Sequence, residues 1–219
     1  MSTRVLVLFV SFFAACSPRP SVAPHTPDAG VAFPELHAEC SAENFTGCVM
    51  PCSKGVGDAC FTVAARMFQA ENYSVAGTFA EKACAAGDAC GCGLQGALLH
   101  GGLGCEKKPV AGLQLMTRSC EGGCGPGCVA MGHLYRDGDT VEKDAEKAFA
   151  YYDRGCTLGS DTSCAHAGHA LATGAGVRKD RDRGLQMLAD ACKGGLEWAC
   201  KMRTEIENKK DEGQTTQLY

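Results

Sequence analysis

The sequence predicts an all-α protein, a solenoid of helix–turn–helix repeats with a period of about 36 residues. Three observations predict this fold. Cysteine pairs recur at a near-constant interval, apolar residues between the pairs recur at helical spacing, and glycine-rich polar turns separate the apolar segments. The chain has 219 residues, enough for one or two domains with a buried core.

The composition restricts the compartment and the partners. Sixteen residues are cysteine, several times ordinary usage for a chain of this length, which indicates an oxidising environment. There are 21 basic and 25 acidic side chains, so the formal net charge is −4. Because nucleic-acid binding needs an excess of basic side chains on one face, we expect no nucleic-acid partner.

The chain begins with a segment typical of a secretory signal. Arg4 precedes an apolar run over residues 5–15, and small residues follow at the end of that run. The run is too short to span a bilayer, which takes about 20 helical residues. The sequence therefore predicts a signal peptide over residues 1–15; cleavage at a nearby site, or an apolar N-terminus of no consequence, is the alternative.

The end of this segment, Phe13-Ala14-Ala15-Cys16, resembles the bacterial lipobox, with Phe13 in place of the usual Leu. The resemblance implies a lipoprotein with a lipidated Cys16 that anchors the chain to a membrane of the bacterial cell envelope. Ser17, the next residue, favours the outer membrane. Residues 16–38 are rich in proline and predict an extended tether.

The main signal is a repeated cysteine motif. Five pairs have the form C-x2-G-x4-C, and successive pairs start 32, 36, 36 and 36 residues apart. The pairs are Cys52/Cys60, Cys84/Cys92, Cys120/Cys128, Cys156/Cys164 and Cys192/Cys200. The shared glycines are Gly55, Gly87, Gly123, Gly159 and Gly195. A period of this length is typical of stacked helical units.

Each unit is predicted to contain two helices, A and B, with the motif glycine ending helix B in a left-handed conformation. Residues eight apart on one continuous helix are about 12 Å apart along the axis, beyond disulfide reach. The glycine reverses the chain, and this brings the two cysteines together. We therefore expect a disulfide in each pair. Zinc, the alternative, prefers closer cysteine spacing and histidine partners.

These motifs resemble the secreted, cysteine-rich branch of the Sel1-like repeat family, a relative of the tetratricopeptide repeat. The copy from Gly127 to Cys156 carries the resemblance best, whereas the copy from Cys60 to Cys84 lacks four loop residues. The resemblance implies a right-handed α-solenoid over residues 60–207. An atypical capping segment over 39–59 is expected before it, and a flexible tail over 208–219 after it.

Five further cysteines lie outside the repeated motif and Cys16. Cys40 and Cys48 have the same spacing but lack the glycine, and we expect them to pair. Cys90 and Cys124 occupy successive inter-repeat turns and can bridge those turns. Cys105 lies in an intra-repeat loop, at the other end of a helix, and is our candidate for an unpaired thiol.

By analogy with tetratricopeptide repeats, helix A lines a concave groove that binds a protein or peptide. Registering each copy on its cysteine predicts these groove residues: Phe61, Phe68, His100, Val129, His133, Arg136, His169 and Lys201. Phe61 and Phe68 can equally belong to the core. His133 and His169 are equivalent in neighbouring repeats, so a histidine ladder is conceivable, although ordinary groove histidines are the simpler interpretation.

Two function classes follow. The first is a non-catalytic scaffold, anchored in the envelope, that binds a protein or peptide. The second comes from the resemblance alone: members of the cysteine-rich branch are described as penicillin-binding proteins or weak beta-lactamases. The chain has no S-x-x-K, S-D-N, K-T-G or H-E-x-x-H motif, and we assign no catalytic residue, metal site or cofactor.

Overall fold

The computed structural model describes residues 45–214, and the side chains of residues 47–208. Within this range the chain forms a short 3₁₀ turn, ten helices and no strand. The predictions for the signal, the tether, Cys16 and Cys40 lie outside the described residues.

The elements follow one another with short connections. After the 3₁₀ turn at Phe45–Cys48, the helices are α1 (Val49–Ser53), α2 (Gly57–Gln69), α3 (Tyr73–Ala85), α4 (Ala89–Gly101), α5 (Pro109–Glu121), α6 (Gly125–Asp137), α7 (Ala145–Thr157), α8 (Asp161–Thr173), α9 (Arg181–Lys193) and α10 (Glu197–Gln214). Helices α2 to α9 are each thirteen residues long. The last helix continues to Gln214, into the segment 208–219 for which the sequence predicts a tail.

The helices alternate between two roles, and the predicted all-α solenoid is confirmed. Even-numbered helices from α2 to α10 are the A helices, and odd-numbered helices from α3 to α9 are the B helices. Each helix packs on the next along the chain, and each A helix also contacts the A helix of the following repeat. Consecutive B helices contact each other far less in the described part of the chain. The A helices therefore line the inner face of the stack.

Helix starts and ends follow from local chemistry. Asp88, Asp144 and Asp180 precede α4, α7 and α9, and each carboxylate accepts a hydrogen bond from the backbone N–H three residues later. The B helices end at the motif glycines, which are left-handed as predicted; Gly159, for example, has φ +82°. Because the chain turns sharply there, the next A helix packs antiparallel to the B helix.

Disulfides join consecutive repeats at these turns, as the sequence predicts. The bonds between described residues are Cys52–Cys60, Cys84–Cys92, Cys120–Cys128, Cys156–Cys164, Cys192–Cys200 and Cys90–Cys124. Five of them link a B helix, or α1, to the next A helix, with Cα–Cα distances of 4.4 to 4.9 Å.

The sixth bond joins the starts of two A helices. Cys90 lies in the first turn of α4 and Cys124 immediately precedes α6. Cys48 is also disulfide-bonded. Cys105 is a free thiol, half-buried in the loop between α4 and α5.

The opposite edge of the solenoid is formed by the loops from A helices to B helices. Two of them place a left-handed glycine against the start of the preceding B helix. A Cβ on Gly104 would lie 2.5 Å from the backbone nitrogen of Ser74, and one on Gly176 would collide with the Ala145 carbonyl. The middle loop has Thr140 at this position, also left-handed, with φ +63°. Close packing and hydrogen bonds therefore hold the loops at this edge in place.

The core lies between the two helix layers and uses small residues where helices cross. A Cβ on Gly96 would lie 2.8 Å from the Gly112 carbonyl oxygen, so α4 and α5 approach closely at this pair of glycines. Buried leucine, methionine and alanine side chains fill the remaining space, among them Leu98, Met131 and Leu188. None of the described helices combines the length and apolar character needed to cross a bilayer.

Candidate binding surface on the A helices

A cluster of rings from three repeats joins the A helices α6, α8 and α10 to the B helix α7. His133 on α6 and His166 on α8 face each other, with 2.9 Å between their Nε2 atoms. The His166 ring is sandwiched between Tyr152 of α7, at 4.7 Å between centroids, and Trp198 of α10, at 4.5 Å. We call these four residues the ring cluster.

A glycine in the sequence provides the space in which these rings pack. A Cβ on Gly132 would collide with the Tyr152 ring, so only glycine allows the tyrosine to pack flat against α6. His133 meets Tyr152 edge to face, at 5.8 Å between centroids. The cluster is thus fixed by contacts from four helices.

Burial sets the electrostatics of the cluster. Burial lowers the pKa of His166 to about 4, and the neighbouring His133 and Arg136 act in the same direction. Burial and Arg136 also lower the pKa of His133. Burial raises the pKa of Tyr152 to about 12. At neutral pH the two imidazoles and the phenol are therefore uncharged; the two imidazoles are half-buried, and the Tyr152 ring is buried beneath them.

Two of the predicted groove residues lie in polar contacts beside the A helices. Arg136 is next to Tyr152 and forms a two-point ion pair with Asp137, at 2.7 Å for each nitrogen–oxygen contact. His100 lies 3.1 Å from the Thr140 hydroxyl and 3.4 Å from an Asp139 carboxylate oxygen. His100 therefore connects α4 to the loop after α6.

The other predicted groove residues are dispersed. Phe61 and Phe68 are half-buried and pack against the two N-terminal apolar clusters, with Phe68 also edge-to-face on Tyr73. Val129 is half-buried, four residues before His133 on the same helix face. Lys201 is exposed on α10. Within the described residues, the continuous set of ring side chains thus lies between α6 and α10.

The histidine pair differs from the ladder that the sequence suggests. His133 contacts His166, one turn before His169, because neighbouring A helices pack with an offset. His166 and Trp198 were not predicted as groove residues, since each occupies a different register relative to its cysteine. In the described part of the chain, no group of three or more His, Cys, Asp or Glu side chains is arranged to hold a metal ion.

The fold and the A-helix surface define a helical-repeat scaffold. Comparison with known families identifies which one: the Sel1 repeat matches residues 92–124, 125–160 and 162–196. The chain therefore contains three Sel1 repeats. The three matched repeats correspond to the units built from α4 to α9, and they include the histidine pair of the ring cluster.

Solved structures have the same architecture. A Sel1 repeat protein from Oxalobacter formigenes is similar, with 25% identity, a TM-score of 0.61 and coverage of 72% of this chain and 66% of that protein. The protective antigen c5321 of uropathogenic Escherichia coli, which displays an SLR fold, has 22% identity and a TM-score of 0.58, over 72% of this chain and 35% of the antigen. The chain therefore spans just under two thirds of the first structure and about a third of the second.

A third structure is cysteine rich protein B from Helicobacter pylori, with 28% identity over 57% of this chain and 96% of that one. Its TM-score of 0.47 is too low to support a structural argument. No curated protein matches the chain.

Proposed function

We propose that the protein is an envelope-anchored scaffold that binds an extended peptide or a protein segment on its A helices. The observation that carries this proposal is the ring cluster. Its side chains come from successive repeats, so they follow the stacking axis, as an extended ligand would. The half-buried imidazole and indole groups of His133, His166 and Trp198 offer both apolar faces and polar edges, the combination common at binding surfaces, and the buried Tyr152 ring supports them from below.

The position of Arg136 adds to this proposal. Its guanidinium lies beside Tyr152 and is partly exposed, and Asp137 holds it in place through two short contacts. A guanidinium held in this way can donate to backbone carbonyls or to a carboxylate of the ligand. The surface thus combines an apolar strip with a donor at its side.

Site-specific photocrosslinking tests the binding face with a matched pair of positions. The crosslinker replaces Val129 on the A helix α6 or Val110, which is exposed on the B helix α5. In cells of the source organism we expect a discrete adduct from position 129 and none from position 110. Trp198→Ala is expected to weaken the adduct at least about fivefold, the loss of one aromatic anchor. Equal adducts from both positions would contradict the proposal.

The anchor rests on the lipobox resemblance and needs its own test. Intact mass spectrometry of the protein from membranes is expected to give a chain that begins at Cys16 and carries added acyl mass. Cys16→Ser is expected to leave the protein in the unprocessed form. Recovery of an unmodified chain cleaved elsewhere would indicate an ordinary secretory signal and contradict the proposed lipid anchor.

An activity assay on the purified protein distinguishes the hydrolase alternative from the binding scaffold. Nitrocefin turnover by the disulfide-intact domain is expected to remain at the buffer rate. A rate above that background, retained after repeated purification, would favour the hydrolase.

A further inference from the structure

We propose that the hydrogen-bonded histidines His133 and His166 form a pH-sensitive switch, which holds the A helices α6 and α8 in contact at neutral pH and opens that contact in acid. The observation is the direct hydrogen bond between the two rings. Their Nε2 atoms lie 2.9 Å apart, and the ring planes are almost perpendicular, at 88°. The bond joins neighbouring repeats, so its loss changes how they pack.

The hydrogen bond limits how many protons the pair can hold. Each neutral imidazole carries one N–H, so one Nε2 atom must donate and the other must accept. A first added proton fits on the Nδ1 atom of the donating ring and leaves the hydrogen bond intact. A second must occupy the accepting Nε2 atom, which sets two N–H groups and two positive rings against each other across 2.9 Å. The contact is therefore compatible with one added proton and incompatible with two.

Charged groups on the two helices oppose the second proton. On α6, Arg136 opposes protonation of both histidines, whereas Asp137, which pairs with Arg136 at 2.7 Å, favours protonation of His133. On α8, His169 opposes protonation of His166, and so does His133 once it is charged. Burial in the first place, and then these repulsions, lower the pKa of His166 to about 4. The second proton therefore binds only in acid.

The other two helices contribute uncharged rings. Tyr152 of α7 and Trp198 of α10 pack on the His166 ring, at 4.7 and 4.5 Å between centroids. Burial raises the pKa of Tyr152 to about 12, so this phenol stays neutral in acid. Glu197 and Lys201, the charged residues on either side of Trp198 in α10, are exposed, and solvent weakens their effect. When the charged His166 ring turns away, Trp198 loses the ring on which it packs.

The switch acts on the proposed binding face but does not depend on a ligand. His166 and Trp198 belong to that face, so the open contact would disperse the side chains proposed to bind a peptide. If the proposed binding function failed, the switch would remain a property of the fold, and the test below uses the protein alone.

Trp198 is the only tryptophan of the chain and reports the state of the contact. We expect its fluorescence emission in the disulfide-bonded protein to move to longer wavelength as the indole becomes exposed to water, with a midpoint near pH 4. NMR of the protein labelled at histidine follows each ring. His133 is expected to titrate first and His166 near pH 4. Titration of His166 near the ordinary value of about 6.5 would overturn the proposal.

Two glutamine variants separate the pair from general effects of acid. In His133→Gln the amide oxygen can accept from a charged His166 but takes up no proton, so the contact survives. We expect the pKa of His166 to rise by at least about half a pH unit and the emission change to disappear. His169→Gln, one turn further along α8, is the control and is expected to keep the emission change.

An equal emission change in the parent and in His133→Gln would show that carboxylates cause it, and would overturn the proposal. Loss of the change in His169→Gln would do the same, because the response would then not belong to the pair. Far-UV circular dichroism at neutral pH checks that each variant is folded. If a variant does not fold, the histidine titration of the parent decides.

Discussion

The two edges of the solenoid connect consecutive helices in different ways. At the turn edge, each B helix passes to the next A helix through a left-handed glycine and a disulfide. At the loop edge, the A helices α4, α6 and α8 pass to their B helices through longer loops, over residues 102–108, 138–144 and 174–180, without a disulfide between described residues. Both edges satisfy the helix ends alike: Ser160 N–H donates to the Gly155 carbonyl, and Ala175 N–H donates to the Ala170 carbonyl.

This difference shows how far the spacing and the residues of each edge can vary between repeats. The covalent edge repeats almost without change, because one bond geometry requires one spacing. The loop edge changes from repeat to repeat: Gly104 and Gly176 pack on backbone, whereas Thr140 contacts His100. We therefore expect the turn edge to depend on its covalent bonds and the loop edge on its fit.

The largest expected effect tests fit at the loop edge. Gly176→Ala is expected to lower the free energy of unfolding by about 3 kcal/mol, since the new Cβ collides with the Ala145 carbonyl and φ is positive. Urea unfolding measures it. The control is Gly159→Ala at the turn edge, where φ is also positive but nothing lies within 4 Å of the added Cβ; we expect about 1 kcal/mol. Equal losses would contradict a tightly fitted loop edge.

The next effect tests the covalent bond at the turn edge. Cys156→Ser with Cys164→Ser is expected to cost about 2.5 kcal/mol, the chain-entropy value for a nine-residue loop. Chemical unfolding of the double variant against the parent gives the loss. A change below about 0.5 kcal/mol would show that the glycine turn alone holds this edge.

A smaller effect concerns the ring cluster. The folded state holds the pKa of His166 near 4, whereas an unfolded histidine titrates near about 6.5. The unfolded chain therefore takes up a proton first, so stability is full above pH about 6.5 and decreases as the pH falls towards 4. Tm is expected to fall by a few degrees between pH 7 and 5, above the main carboxylate range.

His166→Gln is the control for this pH dependence. Gln keeps hydrogen-bonding groups but does not titrate, so its Tm is expected to change less over the same interval. An identical slope in parent and variant would show that the cluster is not the cause.

The smallest effect concerns a hydrogen bond between B helices. Arg154 on α7 donates to the Glu121 carbonyl at the end of α5, over 3.3 Å. Arg154→Met keeps the aliphatic contact and removes the donor, and we expect a loss of about 0.5 kcal/mol because the bond is exposed. Urea unfolding of this variant and of the double cysteine variant measures the two losses. If the two losses were equal, the arginine would stabilise this edge as much as the disulfide does.

The sequence predicts the parts of the fold that depend on short-range spacing. The cysteine and glycine positions fix the turn, the turn fixes the disulfide, and the period fixes the stack. The free Cys105 and the Cys90–Cys124 bond agree with this reasoning, since both follow from which end of a helix each cysteine occupies.

The contacts within the ring cluster cannot be predicted from the repeat period of the sequence. The contact between His133 and His166 is set by the offset with which neighbouring A helices pack, so equivalent positions in the repeat are not neighbours in space. Trp198 reaches the cluster from α10, after the last complete repeat. Three-dimensional packing was needed to bring these side chains together.

Hydrogen exchange tests the central comparison most directly. Amide protection is measured by mass spectrometry at the turn around Gly159 and at the loop around Gly174, whose helix ends have equivalent hydrogen bonds. We predict stronger protection at the turn in the parent, and equal protection at both in the variant without Cys156 and Cys164. Equal protection in the disulfide-bonded parent would contradict the claim that covalent bonds hold the turn edge.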